Sequence, residues 1–128
     1  MRYKTKKLAK LEKSRESIFT DDLEHCYICK LHEFINPKDD MHEIFRGRNR
    51  INSMKYGLCI PICRFHHTKF TDDPILEKEW KIIGQQKFME VYDKTKEEFI
   101  DIFGKNYLWG VYERRMERYT WIWGIISS

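Results

Sequence analysis

The chain has 128 residues, 34% of them charged and 41% hydrophobic, which suits one small domain with appendages and excludes a large multidomain enzyme. No stretch approaches the roughly 18 apolar residues of a membrane span, and the N-terminal MRYKTKKLAKLEKSRESIF lacks the apolar core of a secretory signal. A soluble, cytoplasmic chain is therefore expected, in a reducing compartment where its four cysteines read first as metal-binding thiolates.

Basic residues outnumber acidic ones 24 to 20, a net +4, and the excess is concentrated. Residues 1 to 15 carry Arg2, Lys4, Lys6, Lys7, Lys10, Lys13 and Arg15 against Glu12 alone, a local +6 that leaves −2 for the other 113 residues. Such an arm, taken here as residues 1–20, either touches phosphates or forms a partly helical tail with Leu8 and Leu11 docked on the body.

Next along the chain, Cys26-Tyr-Ile-Cys29 is a C-x2-C knuckle, and after 33 intervening residues Cys63-Arg-Phe-His66 is a C-x2-H knuckle. Two intervening residues let a tight turn aim both side chains at one ion, and two such turns complete a tetrahedral Cys3His set for structural Zn2+. Cys59, inside the apolar run Leu58 to Ile62, has no partner at knuckle spacing and reads as a core thiol. Between the knuckles, Met41 to Phe45 has strand character, Gly47 to Gly57 reads as a long loop, and Leu58 to Ile62 as a second strand. That loop region holds a second basic cluster, Arg46, Arg48, Arg50 and Lys55, a candidate contact for nucleic acid or a partner. A short helix follows from Cys63 to Phe70. The expected fold is α+β, a zinc-stabilised ββα-metal core flanked by helices.

Pro74, preceded by Thr71-Asp72-Asp73, opens a longer helix whose apolar residues recur through Lys94. Thr95-Lys-Glu-Glu98 is a capping box for a last helix that Gly104 ends. Residues 107 to 123 then hold six of the chain's 19 aromatics, Trp109 and Trp121 among them, interleaved with Arg114, Arg115 and Arg118. That extension, residues 109–128, either folds back on the domain, binds a partner or a second copy of the chain, or stacks on bases.

From about Ser17 to Leu108 the chain resembles small HNH-endonuclease-like proteins of bacteriophages of Gram-positive bacteria. The residues that carry the resemblance are SIFTDDLEHCYIC, HEIFRGRNRINSMKYGLCIPIC, the pair His66-His67, IGQQKFMEVY and FIDIFGKNYL. The resemblance implies an HNH-like domain at residues 21–108 in a phage-encoded protein of the bacterial cytoplasm. It also implies a second site, for a catalytic Mg2+, Mn2+ or Ni2+, in which His42 matches the first-strand ligand, Glu43 the general-base position, Asn49 the loop asparagine and His67 the first helix ligand. Two departures stand out. Glu43 occupies a position the family fills with histidine, and the last helix histidine is missing from Lys69-Phe70-Thr71-Asp72-Asp73, where an aspartate serves only if the turn brings it back toward His67. Proteins of this appearance also resemble zinc-binding anti-CRISPR inhibitors of type II RNA-guided effectors. The resemblance therefore leads to a catalytically degenerate inhibitor whose partner is a host nuclease complex; a DNA-cleaving HNH endonuclease and a DNA-binding recombination accessory factor are the alternatives.

Overall fold

A computed structural model of the chain describes residues 6–108. It is an α+β arrangement in which one antiparallel strand pair, β1 (Asp40–Glu43) and β2 (Cys59–Ile62), is surrounded by helices. In chain order the helices are α1 (Lys6–Lys13), α2 (Tyr27–Leu31), α3 (Arg50–Lys55), α4 (Arg64–Asp72), α5 (Pro74–Tyr92) and α6 (Lys96–Phe103).

The register pairs Asp40 with Ile62, Met41 with Pro61, His42 with Ile60 and Glu43 with Cys59. Successive side chains on a strand point to opposite faces, and the two faces of the hairpin meet different parts of the core. Ile60 and Ile62 pack with Cys26, Cys29, Phe70, Trp80 and Ile83 around the knuckles. Met41 and Cys59 point the other way, onto Met54 of α3 and onto Leu8 and Leu11 of α1. A third cluster, Ile44, Phe45, Leu58, Phe88, Phe99 and Phe103, joins the end of the hairpin to α5 and α6.

The segment read as a long loop is more ordered than its glycine and asparagine content suggests. Gly47–Asn49 forms a 3-10 turn that runs into α3. The reason is tertiary: the buried Ser53 hydroxyl donates to the Phe45 carbonyl at 2.6 Å and accepts from the Phe45 N–H at 3.1 Å, while Met54 enters the core. Asn49 and Asn52 donate to the carbonyls of Phe103 (2.8 Å) and Ile102 (3.0 Å), tying the turn to the end of α6.

Around the hairpin the helix signals act locally. The Asp73 carboxylate accepts from the N–H groups of Ile75 and Leu76, capping α5, and Thr95 and Glu98 form the reciprocal capping box of α6. Gly104 ends α6 in the left-handed region at φ +83°. Inside α5, Gly84 lets the hairpin approach: a Cβ there would sit 2.9 Å from Ile44 and 3.2 Å from Phe45. No helix among the described residues is long and apolar enough to cross a membrane. Trp109, Trp121 and the rest of the aromatic extension lie outside the described residues.

Candidate metal centre

The first knuckle is built by α2 and the chain that follows it. Cys26 precedes the first turn of α2, where its Sγ accepts from the Cys29 N–H at 3.4 Å. Residues 33–37 then fold back: Glu33 takes a left-handed φ of 65°, the Phe34 N–H donates to the Cys29 carbonyl at 2.8 Å, and the Cys26 N–H donates to the Asn36 carbonyl at 2.8 Å. This return places the Asn36 amide on the Cys29 sulfur, Nδ2 to Sγ 3.2 Å.

The second knuckle sits where β2 gives way to α4. Cys63 is the residue just before α4 and His66 lies in its first turn. Because β2 packs on α2, the two knuckles face each other across the apolar cluster that contains Cys26, Cys29 and Cys63. All four ligand atoms lie within 4.8 Å of one another. The His66 Nδ1 is 3.4 Å from the Cys26 sulfur, 3.5 Å from that of Cys29 and 3.3 Å from that of Cys63, and the Cys29 and Cys63 sulfurs are 3.7 Å apart. Cys26, Cys29, Cys63 and His66 are thus positioned to hold a metal ion.

The local electrostatics suit that task. Burial pushes the Cys26 thiol up to about 11, so it would keep its proton unless a cation replaced it. At Cys63 burial also raises the pKa, but the backbone N–H groups of His66 and Phe65 and the Cys29 and Cys26 thiols outweigh it and hold the group below its ordinary value. Burial, and then the nearby His32, lowers the His66 imidazole pKa, which favours the neutral form that ligates. Cys59 lies apart from this set; burial and then Glu43 push its thiol up to about 12.

The residues matched to an HNH centre are placed differently from one another. His42 is 7% exposed, stacks on Phe70 at 4.1 Å between centroids, and its buried Nε2 has no hydrogen-bond partner. Burial, then the charge of Arg46, lowers its pKa to about 4. Glu43, the next residue on the strand, turns to the α1 face. There its Oε1 pairs with Arg15 Nη2 at 2.5 Å and Arg50 Nε at 3.5 Å. His67 is half-buried, with Nδ1 3.2 Å from Asp39 Oδ2. Both residues line a shallow groove of about 260 Å³ with Arg64, Thr68 and Thr71.

One helical turn beyond His67 stands Thr71, whose hydroxyl donates to the His67 carbonyl at 3.2 Å. Asp73 is occupied as the cap of α5. Asn49 clips the turn to α6, and its Oδ1 accepts from Asn52 Nδ2 at 3.4 Å.

The loop basic cluster is also divided. Arg46 pairs with Glu77 (2.7 Å) and Arg50 with Glu12 (2.9 Å) and Glu43, whereas Arg48 and Lys55 make no ion pair among the described residues.

Asn36 carries no signal in the sequence, because it lies seven residues past Cys29 and becomes a neighbour only through the fold-back at Glu33. The Arg15–Glu43 and Arg50–Glu12 pairs carry none for the same reason, since their partners lie 28 and 38 residues apart. Comparison of the chain with protein-family models, curated proteins and solved structures finds no match.

Proposed function

We propose that the Cys3His set holds one structural Zn2+, that the hairpin and α4 around it form a ββα-metal core, and that the chain acts as a binding protein with no nuclease activity. Tetrahedral zinc with Zn–S of about 2.3 Å and Zn–N of about 2.05 Å requires sulfur–sulfur separations of about 3.8 Å and sulfur–nitrogen separations of about 3.6 Å. The Cys29–Cys63 separation of 3.7 Å and the three sulfur–nitrogen separations of 3.3 to 3.5 Å agree, and all four ligand atoms lie within 4.8 Å of one another. Four protein ligands leave no open position for substrate, which is the mark of a structural site. When bound, the ion supplies a cross-link between the knuckles.

One observation carries the non-catalytic part of the reading: Glu43, at the general-base position, faces away from His42 and is held between Arg15 and Arg50. A base must reach the proton it removes, and this carboxylate is spent on anchoring α1. Asn49 is spent likewise on α6. The resemblance to phage HNH-like proteins supplies the partner class, a host defence nuclease of the type II RNA-guided kind. Its basic nucleic-acid channel would suit the acidic residues Asp21, Asp22, Glu24, Asp39 and Asp40.

An active HNH endonuclease is the second reading. It is favoured by the unpartnered Nε2 of His42 and by the open groove at His67 and Asp39. A plasmid-nicking assay with Mg2+, Mn2+ or Ni2+ separates the two. The binding reading predicts no metal-dependent nicking and a stable complex with the effector that His42→Ala forms equally well. Nicking that disappears in His67→Ala would overturn it.

A further inference from the structure

The N-terminal basic arm resolves into two opposed faces when α1 is laid on the body. At about 100° per residue, Leu8, Leu11 and Glu12 fall on one side of α1, and Lys6, Lys10 and Lys13 fall within about 60° of one another on the other. The first side is docked: Leu8 and Leu11 pack on Met41, Met54 and Cys59. Glu12, the single acidic residue of α1, has Oε2 2.9 Å from Arg50 Nη2 and 3.7 Å from Arg15 Nη2. The Arg15 guanidinium continues to Glu43. These four charged groups lie in the contact between α1 and the body, so the helix is fixed and its one negative charge is withdrawn from the outer surface.

The outer side keeps its positive charge. Lys6, Lys10 and Lys13 are exposed, as is Lys55 at the end of α3, the helix that packs beside α1. No ion pair to any of the four is present among the described residues. Lys6 to Lys13 spans about 10.5 Å of helix at 1.5 Å per residue, and one strand of a duplex offers a phosphate about every 3.4 Å of its axis, so the row subtends roughly three phosphates. Leu8 and Leu11 are turned inward, which leaves this face without the apolar side that a helix needs to lie in a lipid surface. Helix α1 itself carries no aromatic ring on which an unpaired base could stack, and the Tyr56 ring, 5.4 Å from Lys55 Nζ, is half-buried against Phe88, Tyr92 and Phe103.

We propose that the outer face of α1 with the end of α3 is a binding face for the phosphate backbone of duplex DNA, contacted by Lys6, Lys10, Lys13 and Lys55. The Glu43 and Glu12 anchors hold it in place, and Arg46 and Arg50, already paired, take no part. This assignment does not rest on the partner proposed above.

The test is fluorescence-anisotropy titration of the full chain against a 20-base-pair duplex from about 50 to 200 mM salt. Two variants of equal net charge are compared with the wild type: Lys6→Gln/Lys10→Gln/Lys13→Gln, and Lys78→Gln/Lys96→Gln/Lys105→Gln, whose lysines are exposed on α5, on α6 and just past the end of α6. With about 0.9 per phosphate contact, the slope of log affinity against log salt should become shallower by about 2.7 in the α1 variant and change little in the control. Unchanged metal content in both variants verifies that the folded core is intact. Equal loss in the two variants, no salt-dependent binding by the wild type, or binding to phosphatidylserine vesicles in place of the duplex would overturn the proposal.

Discussion

Replacing His42 by phenylalanine should stabilise the protein, and by more as the solution is acidified. The imidazole is 7% exposed, stacked on Phe70, and has a buried Nε2 without a partner. Phenylalanine keeps the ring and the stacking while removing the unsatisfied atom, a gain on the order of 1 kcal/mol at pH 7.5. The pH dependence adds to this. Burial, then Arg46, lowers the folded-state pKa from 6.5 to about 4, so between those values the unfolded chain binds a proton that the folded chain refuses. The wild type therefore has its full stability above pH 6.5 and loses it as pH falls toward 4. A shift of this size corresponds to about 3 kcal/mol when complete, and to about 2 kcal/mol at pH 5. Loss of metal in acid would affect both proteins alike, so the informative quantity is the gap between them. Urea unfolding of wild type and His42→Phe at pH 7.5 and pH 5.0, with equal m-values, should show the gap widening by about 2 kcal/mol. A gap that stays constant or narrows would mean that His42 is charged or hydrogen-bonded in the folded protein.

Two further substitutions probe the site and its support. Asn36→Ala removes the amide that reaches the Cys29 sulfur at 3.2 Å; competition with a chelator should show metal affinity weakened by about 10- to 100-fold, with the melting curve of the loaded protein little changed. Gly84→Ala should destabilise by about 1 to 3 kcal/mol in urea unfolding. The new methyl would meet the buried Ile44 and Phe45 at 2.9 and 3.2 Å, a clash larger than the gain of roughly 1 kcal/mol in helix propensity.

What could be read from the sequence was what is encoded locally. A C-x2-C and a C-x2-H knuckle each make a turn whose ligands are near neighbours in the chain, and Asp73, Thr95, Glu98 and Gly104 act within one turn of the helix ends they define. The strand pair was visible as apolar runs, with boundaries no more than two residues away from those observed. The interior of the intervening segment was hidden, because α3 is held by Ser53 on Phe45 and by Asn49 and Asn52 on α6, contacts with partners 8 to 54 residues distant. The direction of Glu43 was hidden for a related reason. Strand alternation places it opposite His42, but only the docking of α1 supplies Arg15 to receive it.

Cys26, Cys29, Cys63 and His66, from two knuckles, are positioned to hold one metal ion, proposed above to be zinc. The most direct measurement is the metal content of the purified full-length chain, by elemental analysis, for the wild type and Cys26→Ser. One zinc per chain is expected in the wild type and its loss in the variant, together with a large drop in stability, since zinc binding in small modules is worth on the order of 10 kcal/mol. A wild-type chain without bound zinc, or a Cys26→Ser variant that keeps both its zinc and its melting behaviour, would contradict that proposal.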